Sequence, residues 1–529
     1  MGGVRWILEL LPLQWLHCLD LPTFLVFLVV FLGLAALRRS WVVRHLPPGP
    51  PMWSLAANVF LGSKAPHLAM TELSQQYGNI LTCYIFCMPV VVLNGFQIVQ
   101  EALVQHGREF ADRPYIPLLE DLTKGQGIVF AHYGRSWKKQ RRFVLTVLRN
   151  FGLGKIPFEE KILEEVQYLT KVFKASEGRP FNPGAKIASA VSNVICSVVM
   201  GKRFHYEDKT FTRLMELFEE SLVLQTTVWA MLYCVVPFFR HFPGPHQRIF
   251  KNQRSLEATL QIFINQHQET LSGETIRDFI DAYLLEMEKE EGSQTSCMTE
   301  GNLLNNVTDL FLAGTETTTT TLQWGMLIMM AYPDVQERCQ REIAEVVGWS
   351  RAASMEDGPN MPYLSAVIHE LQRFGNILPL AVGHTVLEDV TFRGYRLEKK
   401  TMVIINLSSV LMDETQWKYP KEFNPENFLN EKGEFFQPDA FVPFSMGLRA
   451  CPGEKLAKME LFLFFTSLLR DFEFYWPDPA TTPSLQPVYK ITLRPRPYKL
   501  GIRCRKSPDN GEILPTDTRD GFWDNAGLE

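Results

Sequence analysis

The segment FSMGLRACPG, residues 444–453, holds a single cysteine in surroundings that suit a metal-binding thiolate. Cys451 has no second cysteine near it in the chain, so neither a disulfide nor a zinc site is indicated. Arg449 places a cation beside it, which favours the thiolate, and Gly447 and Gly453 allow a tight backbone around the sulfur. The helical pattern EKLAKMELFLFFTSLL follows and would aim its first amides at the sulfur. A lone thiolate ligand predicts a haem centre; an inert core cysteine is the alternative.

A second segment, AGTETTTTT at residues 313–321, contains groups that could handle protons beside a small ligand. It lies in a long apolar helical pattern from about residue 302 to residue 330, which Pro333 ends. Glycine and five consecutive threonines are poor helix formers, so the sequence predicts a kink or a loosened turn with room for a ligand. Glu316 and Thr317 would supply a proton carrier and a hydroxyl. The alternative is a solvated polar stripe.

The elements around these segments are mostly helical. Apolar residues recur at three- and four-residue spacing in residues 158–174, 254–271 and 333–347. Short β-like runs occur near residues 80–95, 401–407 and 488–503. The chain has 529 residues, 46% of them hydrophobic, which is enough for one large core. Its net charge of -5 speaks against nucleic acid as a partner.

The two ends of the chain differ from the rest. Residues 21–37 carry no charge, and arginines follow them, which predicts a single membrane-spanning anchor with the remainder of residues 1–45 as its flanks. A cleaved signal peptide is the alternative. LPPGPP, residues 46–51, predicts a stiff hinge, residues 52–506 one catalytic domain, and residues 507–529 a disordered tail. The nine scattered cysteines fit a reducing compartment on the cytosolic side.

The pattern F-x-x-G-x-R-x-C-x-G resembles the haem-binding loop of the cytochrome P450 family, with Phe444, Gly447, Arg449, Cys451 and Gly453 all matching. HELQRF lies about eighty residues earlier and is similar to the family's E-x-x-R helix, and AGTETTTTT is similar to its oxygen-activation motif. The resemblance implies a mainly α fold with a small β region. In that fold the haem lies between a long central helix and the cysteine-ligand loop.

The resemblance also implies roles for individual residues. Cys451 would bind the iron of haem b, and Glu316 and Thr317 would deliver protons. Glu370 and Arg373 would form a buried structural ion pair, although FNPENFL has Asn427 where the family usually has an arginine, which leaves one corner of that network without charge. The remaining cofactor-binding residues would serve the two haem propionates, which require cations or donors: Arg113, Trp137, Arg141, His384 and Arg449.

Within the family, the anchor, the hinge and the motif W-K-x-x-R-R-F resemble the vertebrate microsomal group that oxidises drugs, steroids and fatty acids. This implies the endoplasmic reticulum membrane, electrons from NADPH through a flavoprotein, the NADPH-cytochrome P450 reductase, and cytochrome b5 as a further candidate partner. Residues 229–239, WAMLYCVVPFF, are expected either to dip into the bilayer or to form ordinary core. The residues expected to line an apolar pocket for lipophilic substrates are Phe130, Leu310, Ala313, Thr317, Leu380, Val382 and Ile491.

Two other functions remain open at this stage. A haem-thiolate isomerase would rearrange peroxides without a reductase or external oxygen. A haem sensor or carrier would not catalyse a reaction. Glu316 and Thr317 favour the monooxygenase over the isomerase, because a proton carrier beside a hydroxyl serves oxygen activation. The sensor or carrier ranks last, because no catalytic part is missing from the sequence.

Overall fold

The computed structural model describes residues 45–54, 65–85, 88–151, 156–273 and 275–506. The predicted anchor at residues 21–37 and the predicted tail from residue 507 lie outside these ranges. Within them, no helix combines the length and apolarity that crossing a membrane requires. The chain divides into two compact units, Met1–Pro114 with Val382–Asn406, and Tyr115–Ala381 with Leu407–Glu529.

Among the described residues, the first unit contains two α-helices and six strands, which are α1 (Pro66–Tyr77), α2 (Phe96–Gln100), β1 (Ile80–Ile85), β2 (Met88–Leu93), β3 (His384–Thr385), β4 (Val390–Phe392), β5 (Tyr395–Leu397) and β6 (Met402–Ile405). Four strands form one sheet in the order β1-β2-β6-β3, and β2 and β6 are its only parallel neighbours. The valine run of β2 is buried, as expected for β-branched residues in a sheet interior. These strands confirm the predictions near residues 80–95 and 401–407.

The proline-rich segment at residues 46–51 is held against β1. The backbone N–H of Thr82 donates to the Pro48 carbonyl at 2.9 Å, and the Thr82 hydroxyl donates to the Pro47 carbonyl at 2.8 Å. A Cβ on Gly49 would lie 2.0 Å from the Thr82 carbonyl oxygen, so only glycine permits this close approach. The described part of the predicted hinge is therefore attached to the sheet along its length.

The second unit is mainly helical, and this confirms the predicted fold class of a mostly α protein with a small β region. Its helices are α3 (Pro117–Thr123), α4 (Arg135–Asn150), α5 (Ile156–Lys174), α6 (Gly184–Val199), α7 (Lys209–Gln225), α8 (Val228–Val235), α9 (Pro245–Glu269), α10 (Phe279–Lys289), α11 (Glu300–Ala331), α12 (Pro333–Val346), α13 (Pro362–Gly375), α14 (Ser408–Leu411) and α15 (Glu454–Asp471). Two strand pairs complete it, β7 (Phe472–Tyr475) with β10 (Gly501–Cys504) and β8 (Pro487–Tyr489) with β9 (Leu493–Pro495). The pattern at residues 254–271 predicted only the later part of α9. The helix begins earlier, at Pro245, because proline is well placed in a first helical turn.

Helix α11 is the longest element, with 32 residues and a largely buried surface. It runs as uninterrupted α-helix, so the predicted loosened turn at the threonine run is wrong. The hydroxyls of Thr317 and Thr321 donate to the carbonyls of Ala313 and Thr317, four residues earlier, at 2.8 and 3.0 Å. Such bonds supplement the helical ladder and do not replace it. The threonine run is therefore compatible with a regular helix.

Gly314 serves close packing between α11 and α6. A Cβ at Gly314 would lie 2.5 Å from the Cδ1 atom of Ile195, a buried residue of α6. The space that the sequence assigned to a small ligand is thus filled on this side of α11 by an isoleucine. The glycine permits two helices to approach, which is a common use of glycine in helical interfaces.

Candidate active site

Cys451 lies at the end of a tight loop that leads into α15. The loop contains a 3-10 turn, Gly447–Arg449, and Gly447 has φ of 74°, a value that favours glycine. The backbone N–H of Cys451 donates to the Phe444 carbonyl at 3.0 Å and closes the loop. Gly453 has φ of −93°, and a Cβ there would be 3.8 Å from the sulfur, an ordinary contact. The backbone therefore requires glycine at position 447 but not at position 453.

The Cys451 sulfur is subject to opposing influences. Burial raises the pKa of the thiol, and the Gly453 amide lowers it by a hydrogen bond. The Glu454 carboxylate raises this pKa, the Arg141 charge and the Glu454 amide lower it, and the net shift is upward. The first amides of α15 thus face the sulfur as predicted, but burial has the larger effect on the pKa of the thiol. The Arg141 guanidinium of α4 favours the thiolate, and the contribution expected from Arg449 stays a prediction. The side chain is exposed on one side, which leaves the sulfur accessible.

Arg449 and Arg141 both lie over the ring of Trp137. The guanidinium carbons are 3.9 and 5.6 Å from the ring centroid, respectively. Arg449 donates to the carbonyls of Ile128 and Ala131 at 3.3 and 2.7 Å, and the indole N–H of Trp137 donates to Ile128 at 3.0 Å. Arg141 donates to the Ala450 carbonyl, next to Cys451. The indole has a single donor, which is engaged here, and its role toward a propionate stays a prediction.

Asp309 of α11 binds the backbone segment that contains Ile128, and the sequence did not predict this role. Its Oδ2 atom accepts the backbone N–H groups of Ile128 and Val129 at 2.8 and 3.1 Å. Burial raises the pKa of Asp309 to about 6, although these two amide hydrogen bonds oppose the shift. Asp309 therefore fixes the carbonyl of Ile128 to which Trp137 and Arg449 donate. An acidic residue inside an otherwise apolar helical pattern was the sequence signal that could have identified it.

Arg113 and His384, the two other predicted propionate partners, belong to the first unit and are buried. Arg113 donates through Nη1 to the carbonyls of Val382 and Gly383 at 2.8 and 2.9 Å. His384 is hydrogen-bonded through Nδ1 to the Phe110 carbonyl at 2.7 Å. The backbone around β3 therefore positions both side chains.

Glu370 and Arg373 form a fully buried bidentate ion pair on α13. Arg373 donates through Nε and Nη2 to the two carboxylate oxygens of Glu370, each at 2.7 Å, and both side chains have 0% exposure. The remaining donor capacity of Arg373 is directed to backbone carbonyls, those of Leu411, Tyr419, Pro420 and Glu422. The pair therefore ties α13 to the end of α14 and to the segment after it, with each charge satisfied by hydrogen bonds as burial requires.

Asn427 occupies the third corner of this network. Its amide donates to both Glu370 oxygens at 3.2 and 3.3 Å and to the Tyr419 carbonyl at 3.1 Å, while its oxygen accepts the Tyr419 N–H at 2.9 Å. Burial nevertheless raises the pKa of Glu370, against the opposing effects of Arg373, the Asn424 amide and Asn427. Asparagine thus supplies the hydrogen bonds of the missing arginine but not its charge.

Glu316 is engaged by residues of β9 and its flank that the sequence did not indicate. Its Oε1 atom accepts from the Thr492 hydroxyl at 2.6 Å and from Arg494 Nε at 2.8 Å, and Arg494 Nη2 donates to its other oxygen. Thr317, the next residue, donates its hydroxyl to the Ala313 carbonyl. Arg494 is 178 residues from Glu316 in the chain, so no local pattern could have paired them.

A cavity of about 990 Å³ lies between α6, α7, α11 and the β8–β9 pair. Of the predicted site residues, Glu316 lines it. Among the residues expected to contact substrate, Phe130, Leu310, Leu380 and Val382 are half-buried, whereas Ala313 and Ile491 are exposed. Ile491 borders a small recess beside Glu316 and Arg494. The substrate roles of these residues stay predictions.

The side chains of the second unit suit a haem group. A thiolate ligand is stabilised by hydrogen-bond donors at its sulfur, and the start of α15 offers two amides there. Haem propionates need cations, and Arg141 and Arg449 bring two guanidinium groups to the loop, where they donate to the carbonyls of Ala450 and Ala131. The donor set therefore fits a haem with one protein thiolate ligand.

Comparison with known proteins agrees with this site. The sequence profile of the Cytochrome P450 family matches residues 47–502. Human cytochrome P450 2J2 is 43% identical over 480 residues, which cover 90% of this chain and 95% of the relative. Human cytochrome P450 2D6 is 42% identical over 483 residues, covering 90% and 97%, and cytochrome P450 2K1 of Oncorhynchus mykiss is 43% identical over 459 residues, covering 86% and 91%.

These relatives confirm the predicted resemblance to the vertebrate microsomal group. Proteins of this group use haem b and receive electrons from NADPH through the P450 reductase. The chain therefore belongs to the cytochrome P450 family and is a haem-thiolate monooxygenase.

Proposed function

We propose that this protein is a membrane-associated monooxygenase that inserts one atom of molecular oxygen into lipophilic small molecules such as xenobiotics, steroids or fatty acids. The observation that carries the proposal is the Cys451 loop, where the first amides of α15 and the Arg141 guanidinium face one accessible sulfur. A sulfur with this surrounding is suited to act as an anionic iron ligand.

Cys451 would hold the iron of haem b, and Arg141 and Arg449, which lie over the Trp137 ring, would bind a propionate. Arg113 and His384 remain propionate partners that the family resemblance implies. When bound, the haem supplies the oxygen binding and the oxidising power of the reaction. Arg141 has two tasks in this proposal, since its charge favours the Cys451 thiolate and is available to a carboxylate.

Glu316 and Thr317 would manage protons on the central helix. The Thr317 hydroxyl donates to the Ala313 carbonyl at 2.8 Å, and rotation about χ1 would let it donate to a bound ligand instead. Glu316 is adjacent to it and lines a cavity that is large enough for water. The pair would therefore supply protons one at a time, a task that contributes roughly two to four orders of magnitude to a rate.

The apolar character of the predicted substrate residues supports lipophilic substrates. Phe130, Leu310, Ala313, Leu380, Val382 and Ile491 offer no charge to a ligand. An apolar pocket with few polar groups binds mainly through the burial of hydrophobic surface. Substrate selection would then depend on shape more than on ionic recognition.

Association with the endoplasmic reticulum membrane would involve residues 229–239 and their neighbours as well as the predicted anchor. Val228, Val236 and Phe238 are exposed, Phe238 by 71%, and Phe242 contacts Phe238 with their ring centroids 4.9 Å apart. Ala230 and Tyr233 on the other side of α8 are buried. The segment is thus part core and part exposed apolar surface, which favours insertion of its exposed side into the bilayer surface.

Electrons would arrive from NADPH through the cytochrome P450 reductase, with cytochrome b5 as a second donor. The candidate docking surface consists of basic residues on α4 and α15. Lys138, Arg142 and Lys455 are exposed, while Lys139 and Lys458 form ion pairs with Glu290 and Glu454. Three exposed cations would attract an acidic partner in a salt-dependent manner.

The proposal is tested by spectroscopy and by turnover. The reduced protein with carbon monoxide should show the red-shifted Soret band of a thiolate-ligated haem; Cys451→Ser should lose it, and Cys504→Ser, at another exposed cysteine, should keep it. Product formation from lipid-like substrates should require NADPH, the reductase and oxygen. An unchanged band in Cys451→Ser would refute the ligand assignment. Product formed from a peroxide alone, without reductase, would identify an isomerase instead.

A further inference from the structure

The cavity beside α11 has an apolar wall where α7 and α11 meet. Phe218 of α7 stacks on Phe311 of α11 with their ring centroids 4.5 Å apart, and Met215 and Leu312 line the cavity next to them. The volume of about 990 Å³ is at the upper end of the range for small-molecule pockets, which runs from about 300 to 1,000 Å³. The apolar wall, residues 215, 218, 311 and 312, therefore suits the hydrophobic part of a ligand.

This cavity is distinct from the site built around Cys451. The α11 residues that line it form one stripe at three- and four-residue spacing, from Leu312 to Gln323. Thr317 is outside this stripe, because each residue turns the direction of a helix by roughly 100°. Among the described residues that line the cavity, none belongs to the Cys451 loop. A ligand here would leave the sulfur and the Thr317 hydroxyl free.

One polar group of the stripe lacks a partner. The Thr319 side chain is only 6% exposed, and its hydroxyl has no hydrogen-bond partner in the described part of the chain. Thr315, one turn earlier, accepts a hydrogen bond from the Ser192 hydroxyl of α6 at 3.2 Å. Buried hydroxyls are normally hydrogen-bonded, so Thr319 needs a partner from outside the protein. The cavity thus offers an unused donor beside its apolar surface.

The charged side chains that line the cavity include more cations than carboxylates. Five are cationic and four are acidic. Each of the carboxylates has a cationic partner, and the pairs are Glu216 with Arg213, Glu220 with Arg248, and Glu219 and Glu316 with Arg494.

Arg496 is the cation that these pairs leave over. It follows β9, lines the cavity, is exposed and forms neither an ion pair nor a hydrogen bond with any described residue. Lys490 also lines the cavity and lies 3.9 Å from Glu219, which Arg494 already holds at 2.9 Å. The positive charge of Arg496 is therefore available to a ligand, and that of Lys490 is only weakly engaged.

We propose that this cavity is a second ligand site, for an amphipathic organic anion that has one anionic head and an apolar chain. The chain would lie along the apolar wall, where its burial supplies most of the affinity. The head would accept charge-assisted hydrogen bonds from Arg496, with Lys490 as the second cation. The Thr319 hydroxyl is a further donor for an oxygen atom of the ligand. Ligand and substrate could be bound at the same time, and the inference does not depend on which substrate the enzyme oxidises.

Dodecanoate is a probe with this chemistry, and dodecanol is its neutral counterpart. Binding to the complete haem-containing enzyme is measured by equilibrium dialysis below the critical micelle concentration of dodecanoate. The iron is first occupied by 4-phenylimidazole, which blocks the haem pocket. Dodecanoate should still bind under these conditions, and dodecanol should bind about two- to fivefold more weakly, because it forms no ion pair with an exposed cation.

Three variants locate the site. Ala188→Phe fills the cavity from α6 and should abolish dodecanoate binding. Arg496→Gln should weaken dodecanoate binding about two- to fivefold and leave dodecanol binding unchanged. Lys499→Gln is the matched control, because Lys499 is exposed in the same segment but does not line the cavity, and it should bind dodecanoate like the wild type.

The carbon monoxide band of the thiolate-ligated haem shows whether each variant is folded. Dodecanoate binding that persists in a folded Ala188→Phe variant would overturn the site. If Ala188→Phe loses the band, Ser189→Phe takes its place, since Ser189 lines the same side of the cavity. Equal dodecanoate affinities of Arg496→Gln and Lys499→Gln, or dodecanol bound as tightly as dodecanoate, would refute recognition of the anionic head.

Discussion

Asn427 provides a direct test of how the buried network around Glu370 is stabilised without a second arginine. Its side-chain amide donates to the two Glu370 oxygens at 3.2 and 3.3 Å. Together these two contacts are equivalent to roughly one hydrogen bond to a charged group, which contributes about 1.5–3 kcal/mol to stability. Its two bonds with the Tyr419 backbone add about 0.5–1.5 kcal/mol each. The long donor–acceptor distances place the total toward the low end. Asn427→Ala is therefore expected to lower the free energy of unfolding by about 2.5–4 kcal/mol.

Asn427→Asp changes the chemistry at nearly constant volume. It replaces the donor by a second carboxyl beside Glu370, whose pKa burial already raises in spite of Arg373. Two buried carboxylates in contact cannot both ionise easily. Asn427→Asp should therefore cost more than Asn427→Ala at pH 8, by about 1 kcal/mol or more. This excess should shrink at pH 6, because one carboxyl then takes up a proton and donates to the other.

The assay is denaturant-induced unfolding of the haem-containing protein, followed by circular dichroism and by the thiolate haem band at pH 6 and pH 8. Asn265→Ala, at an exposed position of α9, is the control and should change stability by less than about 0.5 kcal/mol. Stability of Asn427→Asp equal to that of the control, or a penalty that does not change between the two pH values, would refute the reasoning about this corner.

Three further expectations follow from the structure. Thr317→Ala should keep the haem spectrum and substrate binding but divert NADPH consumption from product to hydrogen peroxide. Thr308→Ala loses a similar hydrogen bond to the carbonyl four residues earlier and should not divert it. The same ratio of product to NADPH consumed in both variants would contradict the proton assignment. The pKa of Asp309 is about 6 in the folded state against 3.8 in the unfolded chain, so between these values the folded state binds more protons and stability falls as pH rises. Asp309→Asn should flatten this fall between pH 4 and pH 6 in unfolding measurements. An unaltered pH profile would count against the role of Asp309. Phe238→Ser should weaken vesicle binding of protein lacking residues 1–45, while Phe436→Ser, at another exposed phenylalanine, should not; identical vesicle binding would assign no membrane role to the segment.

Several features of this protein were determined by local sequence. The cysteine loop combines a glycine that tolerates positive φ with a cysteine directly before a helix, and both properties are visible in ten consecutive residues. The helices at residues 158–174 and 333–347 and the strands near residues 80–95 follow from the spacing of apolar side chains, which reflects the periods of helix and strand. These elements could be predicted because the spacing of apolar side chains along a short segment indicates the secondary structure that buries them.

Other features depended on the tertiary structure. The sequence indicated Arg449, which is near Cys451 in the chain, as a thiolate-favouring cation, and the fold brings a further one, Arg141, to the sulfur from a distant helix. It assigned Gly314 to a loosened turn, but Ile195 packs against that glycine and α11 stays regular.

The partners of Glu316 were decided in the same way. Thr492 and Arg494 reach it from 176 and 178 residues away, and Glu219 reaches Arg494 from 275 residues away. Periodicity and motif spacing predict the secondary structure of one segment and of the segments next to it in the chain. The charge that faces a given carboxylate depends instead on which distant segments share a core, because burial and hydrogen bonding act through space.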